Sequence, residues 1–184
     1  MAILVVGGSA KDIGKTGLVC AIISALREFE WTAIKITAHD YEKPETDNTQ
    51  LDCNILEETR GGQQTDTGRY LAAGARRSLL ITRSGSTVPI DAIQSAIRSD
   101  RNVIFESNQI VDVLKPDVCL ALIGGEERKP SFDRLLLIAD AVVHLRGSSP
   151  AILPQGLTRF EVDAVDQIPI ELVEWLRKRL ATQR

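Results

Sequence analysis

Short apolar runs rich in β-branched residues alternate along this chain with stretches whose apolar residues recur every three or four positions. Ala2–Gly7 is apolar throughout and stops at a glycine pair, which predicts a buried strand. Leu18, Ala21, Ile22, Ala25 and Phe29 follow at helical spacing and predict a helix from Lys15 to Glu30. Further strands are predicted at Trp31–Ile36, Ser78–Thr82, Asn102–Glu106, Val118–Ile123 and Ala141–Leu145, and helices at Asp66–Ala75 and Pro89–Ile97. Ile170, Val173, Leu176 and Leu180 mark a helix near the C-terminus. Strands without a polar face need cover on both sides, so the pattern predicts a single α/β domain over residues 1–184, three layers around a mainly parallel sheet. One stretch breaks the rhythm. Tyr41–Thr65 is polar, contains Pro44 and Gly61-Gly62, and has only Leu51, Ile55 and Leu56 to bury. A loop of that length inside a compact domain is expected near the active site and partly mobile without ligand.

Composition adds bounds to this picture. With 184 residues, 43% of them hydrophobic, the chain can build one substantial core, burying roughly 70% of the unfolded surface at this size. The net charge of -3 gives no general electrostatic hold on nucleic acid, so none is expected as a partner. Arg177, Lys178, Arg179 and Arg184 read as a solvated helix end with cations suitably placed on its dipole. The three cysteines, Cys20, Cys53 and Cys119, form no CxxC pair, which points to a reduced, cytoplasmic protein. No apolar run approaches the ~18 residues of a membrane span, and the N-terminus lacks the basic region of a signal peptide.

The chemistry begins where the first strand ends. Gly8-Ser9-Ala10-Lys11-Asp12-Ile13-Gly14-Lys15-Thr16, with Gly17 behind it, joins a buried strand to an amphipathic helix. This is a phosphate-binding P-loop with Ser9 at the position of the usual first glycine and Gly8 one residue earlier. Backbone N–H groups must converge on the phosphates, which asks for permissive backbone near Gly7, Gly8 and Gly14. Lys15 adds a point charge for the β- and γ-phosphates, the Thr16 hydroxyl is a Mg²⁺ ligand, and the following helix presents its positive end.

Two family resemblances start from these residues. The loop has the spacing of the G-T-x-T-[DE]-V-G-K-T segment of dethiobiotin synthetase. Asp66-Thr67-Gly68-Arg69-Tyr70-Leu71-Ala72-Ala73-Gly74-Ala75 resembles the D-[ST]-x-R-x-x-x-A-G-A segment of molybdopterin-guanine dinucleotide biosynthesis protein B. That family also carries Ile-Lys-His at its second strand followed by His-Asp, and Glu-Gly after a later strand. Here the corresponding residues are Ile34-Lys35-Ile36, His39-Asp40 and Glu106-Ser107. The resemblance implies a P-loop NTPase fold, GTP binding in support of molybdenum cofactor biosynthesis, a homodimer, and contact with molybdopterin cofactor and a partner enzyme.

Several further residues are site candidates. Lys35 lies at the carboxyl end of a strand, the edge that faces the ligand crevice in such sheets. Glu106 ends an apolar strand and is the candidate Walker B acid, binding Mg²⁺ or orienting water. Asp40 is a second candidate metal ligand, and His39 a candidate substrate contact. Asp66 reads either as a helix N-cap or as a substrate contact, and Arg69 could meet a phosphate. Gly74 reads as a site of close helix packing, and Gly124–Pro130 as a turn and solvated loop. No N-K-x-D motif is present to read the base, so ATP and GTP both remain as ligands. The expected function is Mg²⁺-dependent nucleoside triphosphate binding with slow hydrolysis, Lys15, Lys35 and Glu106 being the catalytic groups. Two alternatives are an ATP-dependent ligase or carboxylase of the dethiobiotin synthetase kind, and a non-catalytic switch in which nucleotide orders Tyr41–Thr65.

Overall fold

A computed structural model describes residues 1–38, 53–83, 87–125, 128–147 and 153–182. Eight strands form one sheet: β1 (Ala2–Gly8), β2 (Trp31–Ala38), β3 (Cys53–Glu58), β4 (Arg77–Arg83), β5 (Asn102–Glu106), β6 (Val118–Ile123), β7 (Ala141–Leu145) and β8 (Thr158–Val162). Five helices accompany them: α1 (Lys15–Ala25), α2 (Asp66–Ala73), α3 (Ile90–Ile97), α4 (Pro130–Leu137) and α5 (Ile170–Ala181). The strand order is β3-β4-β2-β5-β1-β6-β7-β8. Every pairing is parallel except that of β3 with β4.

Alternating side chains of the strands feed two cores. Leu4, Val6, Ile104, Leu120 and Leu122 face α1, α2 and α5 on one side. Val5, Val103, Phe105, Cys119 and Ala121 face α3 and α4 on the other. The three-layer α/β architecture expected from the sequence is therefore present. Burial pushes the Cys119 thiol up to about 12, in keeping with its place in the core. Among the described residues no helix is long and apolar enough to cross a membrane.

Some elements differ from expectation. The helix predicted to reach Glu30 ends at Ala25; Arg27–Phe29 forms a 3₁₀ turn and Glu30 adopts left-handed backbone, φ 51°. Leu26, at the break, accepts a hydrogen bond from the indole N–H of the buried Trp31 at 3.0 Å. The predicted loop Tyr41–Thr65 contains β3, an edge strand whose backbone groups pair with β4; residues 41–52 lie outside the described part. Thr158-Arg159, read as loop, opens β8 at the other edge. Pro130, read as the end of a loop, starts α4, where a missing N–H costs nothing. Gly74 ends α2 in left-handed backbone, φ 106°, and a Cβ there would lie 3.1 Å from Arg27 Nε.

The register sets the site. Val6 of β1 and Lys35 of β2 both stand opposite Glu106 of β5. Strand order reverses about β1, with β5 and β6 on its two flanks, so a crevice opens beyond the carboxyl ends of these strands. The backbone of β1 approaches α4 closely there. A Cβ on Gly7 would lie 2.1 Å from Leu135 Cδ1 and 2.7 Å from Asn108 Oδ1. Gly7→Ala should therefore destabilise the fold by about 1–3 kcal/mol, measured by denaturant unfolding. Adding Leu135→Ala should make the double variant less costly than the sum of the two single changes; simple additivity would contradict this packing.

Candidate functional site: a phosphate cleft at the start of α1

The loop after β1 is pinned from both sides before it reaches the helix. Asn108, just beyond β5, holds the Gly8 peptide by two hydrogen bonds: the Gly8 N–H donates to Asn108 Oδ1 at 2.7 Å, and Asn108 Nδ2 donates to the Gly8 carbonyl at 2.9 Å. Ser9 is buried and staples the loop to the end of β6. Its hydroxyl donates to the Gly124 carbonyl at 2.6 Å and accepts from the Gly124 N–H at 3.0 Å. Its backbone continues the sheet, N–H to the Leu122 carbonyl at 3.0 Å. The serine in place of a glycine is thus a structural tie. Gly124, read as part of a turn and solvated loop, is the other half of that tie.

Permissive backbone was expected at Gly7, Gly8 and Gly14, but only Gly14 has positive φ, 95°. Gly7 and Gly8 lie within β1, and what they need is space: a Cβ on Gly8 would meet the Lys15 and Ile13 side chains within 2.9 Å. Asp12 also adopts left-handed backbone, φ 57°. Gly14 is doubly constrained, because a Cβ there would lie 2.5 Å from Val165 Cγ2. The segment that carries Val165 follows β8 and lies over Gly14 and Gly17.

Gly14 is the N-cap of α1, yet no side chain caps this helix and its first turn contains no acid. α2 shows the contrast: the Thr65 hydroxyl accepts from the Gly68 N–H at 2.9 Å. The first N–H groups of α1 therefore face the cleft with no capping side chain, backed by the helix dipole. Lys15 reaches over them, its ammonium donating to the Ala10 carbonyl at 2.9 Å. Burial, more than any neighbour, lowers its pKa, an effect that Glu106 opposes and Lys129 and Lys35 reinforce. An ammonium short of compensation is one that an anion would satisfy.

Carboxylates gather on the far side of the loop. Glu106 is buried, 4% exposed, and three donors hold it. Thr16 Oγ1 donates to Oε2 at 2.8 Å, the Tyr70 hydroxyl donates to the same oxygen, and Lys35 Nζ donates to Oε1 at 3.1 Å. Lys35 also pairs with Asp66, so one ammonium bridges two carboxylates. Burial lowers the Lys35 pKa, but Glu106 and Asp66 together outweigh it and the net shift is upward. Burial raises that of Asp66, and Lys35, with help from Thr16 and Arg69, carries it below the usual carboxylate range. Asp66 is the first residue of α2, not its cap as one reading had it; Thr65 caps. Arg69, one turn on, stands 3.9 Å from Asp66 and lines the cleft. His39 and Asp40 lie outside the described residues.

The cleft has a volume of about 1040 Å³ and includes Lys11 to Gly17, Lys35, Asp66, Arg69 and Glu106. Asp163–Asp166 also line it. Its volume is just above the usual range for small-molecule sites, roughly 300–1,000 Å³. Thr16, Glu106 and Asp66 offer a hydroxyl and two carboxylates, the hard oxygen donors that suit Mg²⁺. Sequence reading found Lys15, Thr16, Lys35 and Glu106, and the structure brings them together. It missed Tyr70 and Asn108. The one signal for Tyr70 was its place four residues after Asp66, on the same helix face.

Solved structures of known proteins share this architecture. The "apo" form of LpxK from Aquifex aeolicus in complex with ATP matches with a TM-score of 0.52 at 17% identity. A MobB protein homolog from Bacillus stearothermophilus matches with a TM-score of 0.52 at 16% identity, over 99% of both chains. The chain shares with them the α/β fold around a mainly parallel sheet. The match to LpxK covers 88% of this chain and 53% of LpxK, so this chain spans about half of that protein's length. No protein-family model and no curated protein sequence matches the chain.

Lys15→Ala should weaken triphosphate binding at least about tenfold, near 1.4 kcal/mol, in a binding titration of the folded variant. Unchanged affinity would remove Lys15 from the phosphate site.

Proposed function

We propose that this protein binds a nucleoside triphosphate with Mg²⁺ and hydrolyses it slowly. The observation that carries the reading is the uncapped start of α1, with Gly14 turning the backbone and Lys15 above it, facing a cleft that also holds a buried glutamate. Phosphoryl transfer asks mainly for positioning and charge neutralisation. The N–H groups of the loop and of the first turn bind the β- and γ-phosphates. Lys15 leaves the Ala10 carbonyl to neutralise them, and Lys35, at the carboxyl end of β2, is within the same cleft to meet the γ-phosphate. Thr16 and Asp66 are the residues that would hold Mg²⁺, with Glu106 orienting the Thr16 hydroxyl; the ion would supply positive charge against the phosphates. Glu106 orients the attacking water.

The sequence resemblance and the full-length likeness to a MobB homolog support a finer reading. The ligand is GTP, the setting is cytoplasmic, and the chain works as a homodimer with a partner enzyme in molybdenum cofactor biosynthesis, with molybdopterin cofactor as the second ligand. A second reading draws on the room in the cleft: an ATP-dependent ligase that uses Lys15 and Lys35 to stabilise a carbamate or acyl phosphate.

Titrations with ATP, GTP and molybdopterin cofactor, each with and without Mg²⁺, should show Mg²⁺-dependent triphosphate binding with GTP preferred. Absence of binding to either triphosphate would defeat the proposal. Phosphate release that rises sharply with a diamine and bicarbonate would select the ligase. Glu106→Gln should retain nucleotide and lose most hydrolysis; turnover at the wild-type rate would place the acid elsewhere.

A further inference from the structure

The reading above gives no work to Tyr70. Its ring is fully buried in the core on the α1 side of the sheet, yet its hydroxyl ends on the carboxylate of Glu106. A tyrosine in a core needs only some partner for its O–H, and packing alone would satisfy the ring. What sets Tyr70 apart is the oxygen it chooses. Glu106 Oε2 accepts from Tyr70 and from Thr16 together, while Oε1 accepts from Lys35. The carboxylate is thereby fixed in rotation from both ends.

We propose that Tyr70 is a positioning residue of the metal site, holding Glu106 Oε2 so that Glu106 in turn orients the hydroxyl of Thr16. The inference rests on the nucleotide and Mg²⁺ reading of the cleft. A threonine hydroxyl has one hydrogen and two lone pairs. Asp66 also lies within hydrogen-bonding reach of this hydroxyl, and with the hydrogen held on Glu106 instead, the lone pairs are directed away from Glu106 and are available to a cation. A Glu106 free to rotate would release that hydrogen and leave the hydroxyl to turn. The Tyr70 hydroxyl is the donor in this contact. α2 is built for the task. Asp66 at its start and Tyr70 one turn later lie on one face, and both reach the same cluster of Lys35 and Glu106. The helix is itself tied to α1, which carries Thr16, by the Ser24 hydroxyl donating to the Ala73 carbonyl at 3.1 Å.

The test is Mn²⁺ binding to the full chain saturated with a non-hydrolysable triphosphate analogue, followed by electron paramagnetic resonance of the free ion. Tyr70→Phe should lower Mn²⁺ affinity about tenfold, the size of one hydrogen bond to a charged group, with analogue affinity in EDTA unchanged. In a Glu106→Gln background the same change should add no further loss. Wild-type Mn²⁺ affinity in Tyr70→Phe, or an equal loss in both backgrounds, would reduce Tyr70 to a core residue. If Tyr70→Phe fails to fold, the chain labelled with 3-fluorotyrosine replaces it, with Tyr41→Phe used to assign the signals. The Tyr70 ¹⁹F resonance should move when Mg²⁺ is added to the analogue complex and stay still in Glu106→Gln; no movement in the wild type overturns the proposal. A wild-type chain that binds no analogue overturns the functional reading itself, whereas analogue and Mn²⁺ binding that Tyr70→Phe leaves intact removes Tyr70 alone.

Discussion

A helix that begins at the edge of a sheet must do something with its first N–H groups, and in this protein α1 begins with no side chain to receive them. Gly14, at φ 95°, turns the chain so that those groups face a cleft. Much of the neighbouring structure keeps that turn in place. Asn108 fastens the Gly8 peptide, Ser9 fastens the loop to Gly124, and Val165 fills the space above Gly14. These contacts use the Gly8 and Ser9 amides and leave the first N–H groups of α1 without a capping side chain. The positive end of the dipole, together with a desolvated ammonium, then favours an anion of several charges.

The second constraint is a buried carboxylate that must stay compensated. Glu106 stands at the end of β5, next to β1 and β2 in the sheet, so Thr16 and Lys35 reach it from α1 and β2, and Tyr70 from α2. Three separate elements thus converge on one side chain of a fourth. A charge so placed costs several kcal/mol unless it is paired, which couples the packing of α1 and α2 to the electrostatics of the cleft. Lys35, between Glu106 and Asp66, supplies the positive charge there.

Legibility from the sequence followed burial. β1, β2, β5, β6 and β7 lie inside the sheet, and their mainly apolar runs announced them. β3 and β8 are the edges. In β3, Cys53 and Ile55 turn inward among Asn54, Glu57 and Glu58, a pattern too polar to stand out from a loop. In β8 only Phe160 and Val162 pack against the core, between Arg159 and Glu161. α4 was hidden because Pro130 reads equally as loop or as the first residue of a helix. The same logic holds for the site. Lys15 and Thr16 belong to a local motif, and Lys35 and Glu106 end apolar strands, so position alone marked them. The roles of Tyr70, Asn108 and Ser9 depend on partners 36, 100 and 115 residues away. No local pattern carries that information; the register of a parallel sheet supplies it.

The account stands or falls on where a triphosphate goes. A crystal structure of the chain with Mg²⁺ and a non-hydrolysable triphosphate analogue tests this most directly. The account predicts the β- and γ-phosphates on the N–H groups between Asp12 and Gly17, with Lys15 moved from the Ala10 carbonyl onto a phosphate oxygen. An analogue bound elsewhere, with Lys15 still on Ala10, would contradict it.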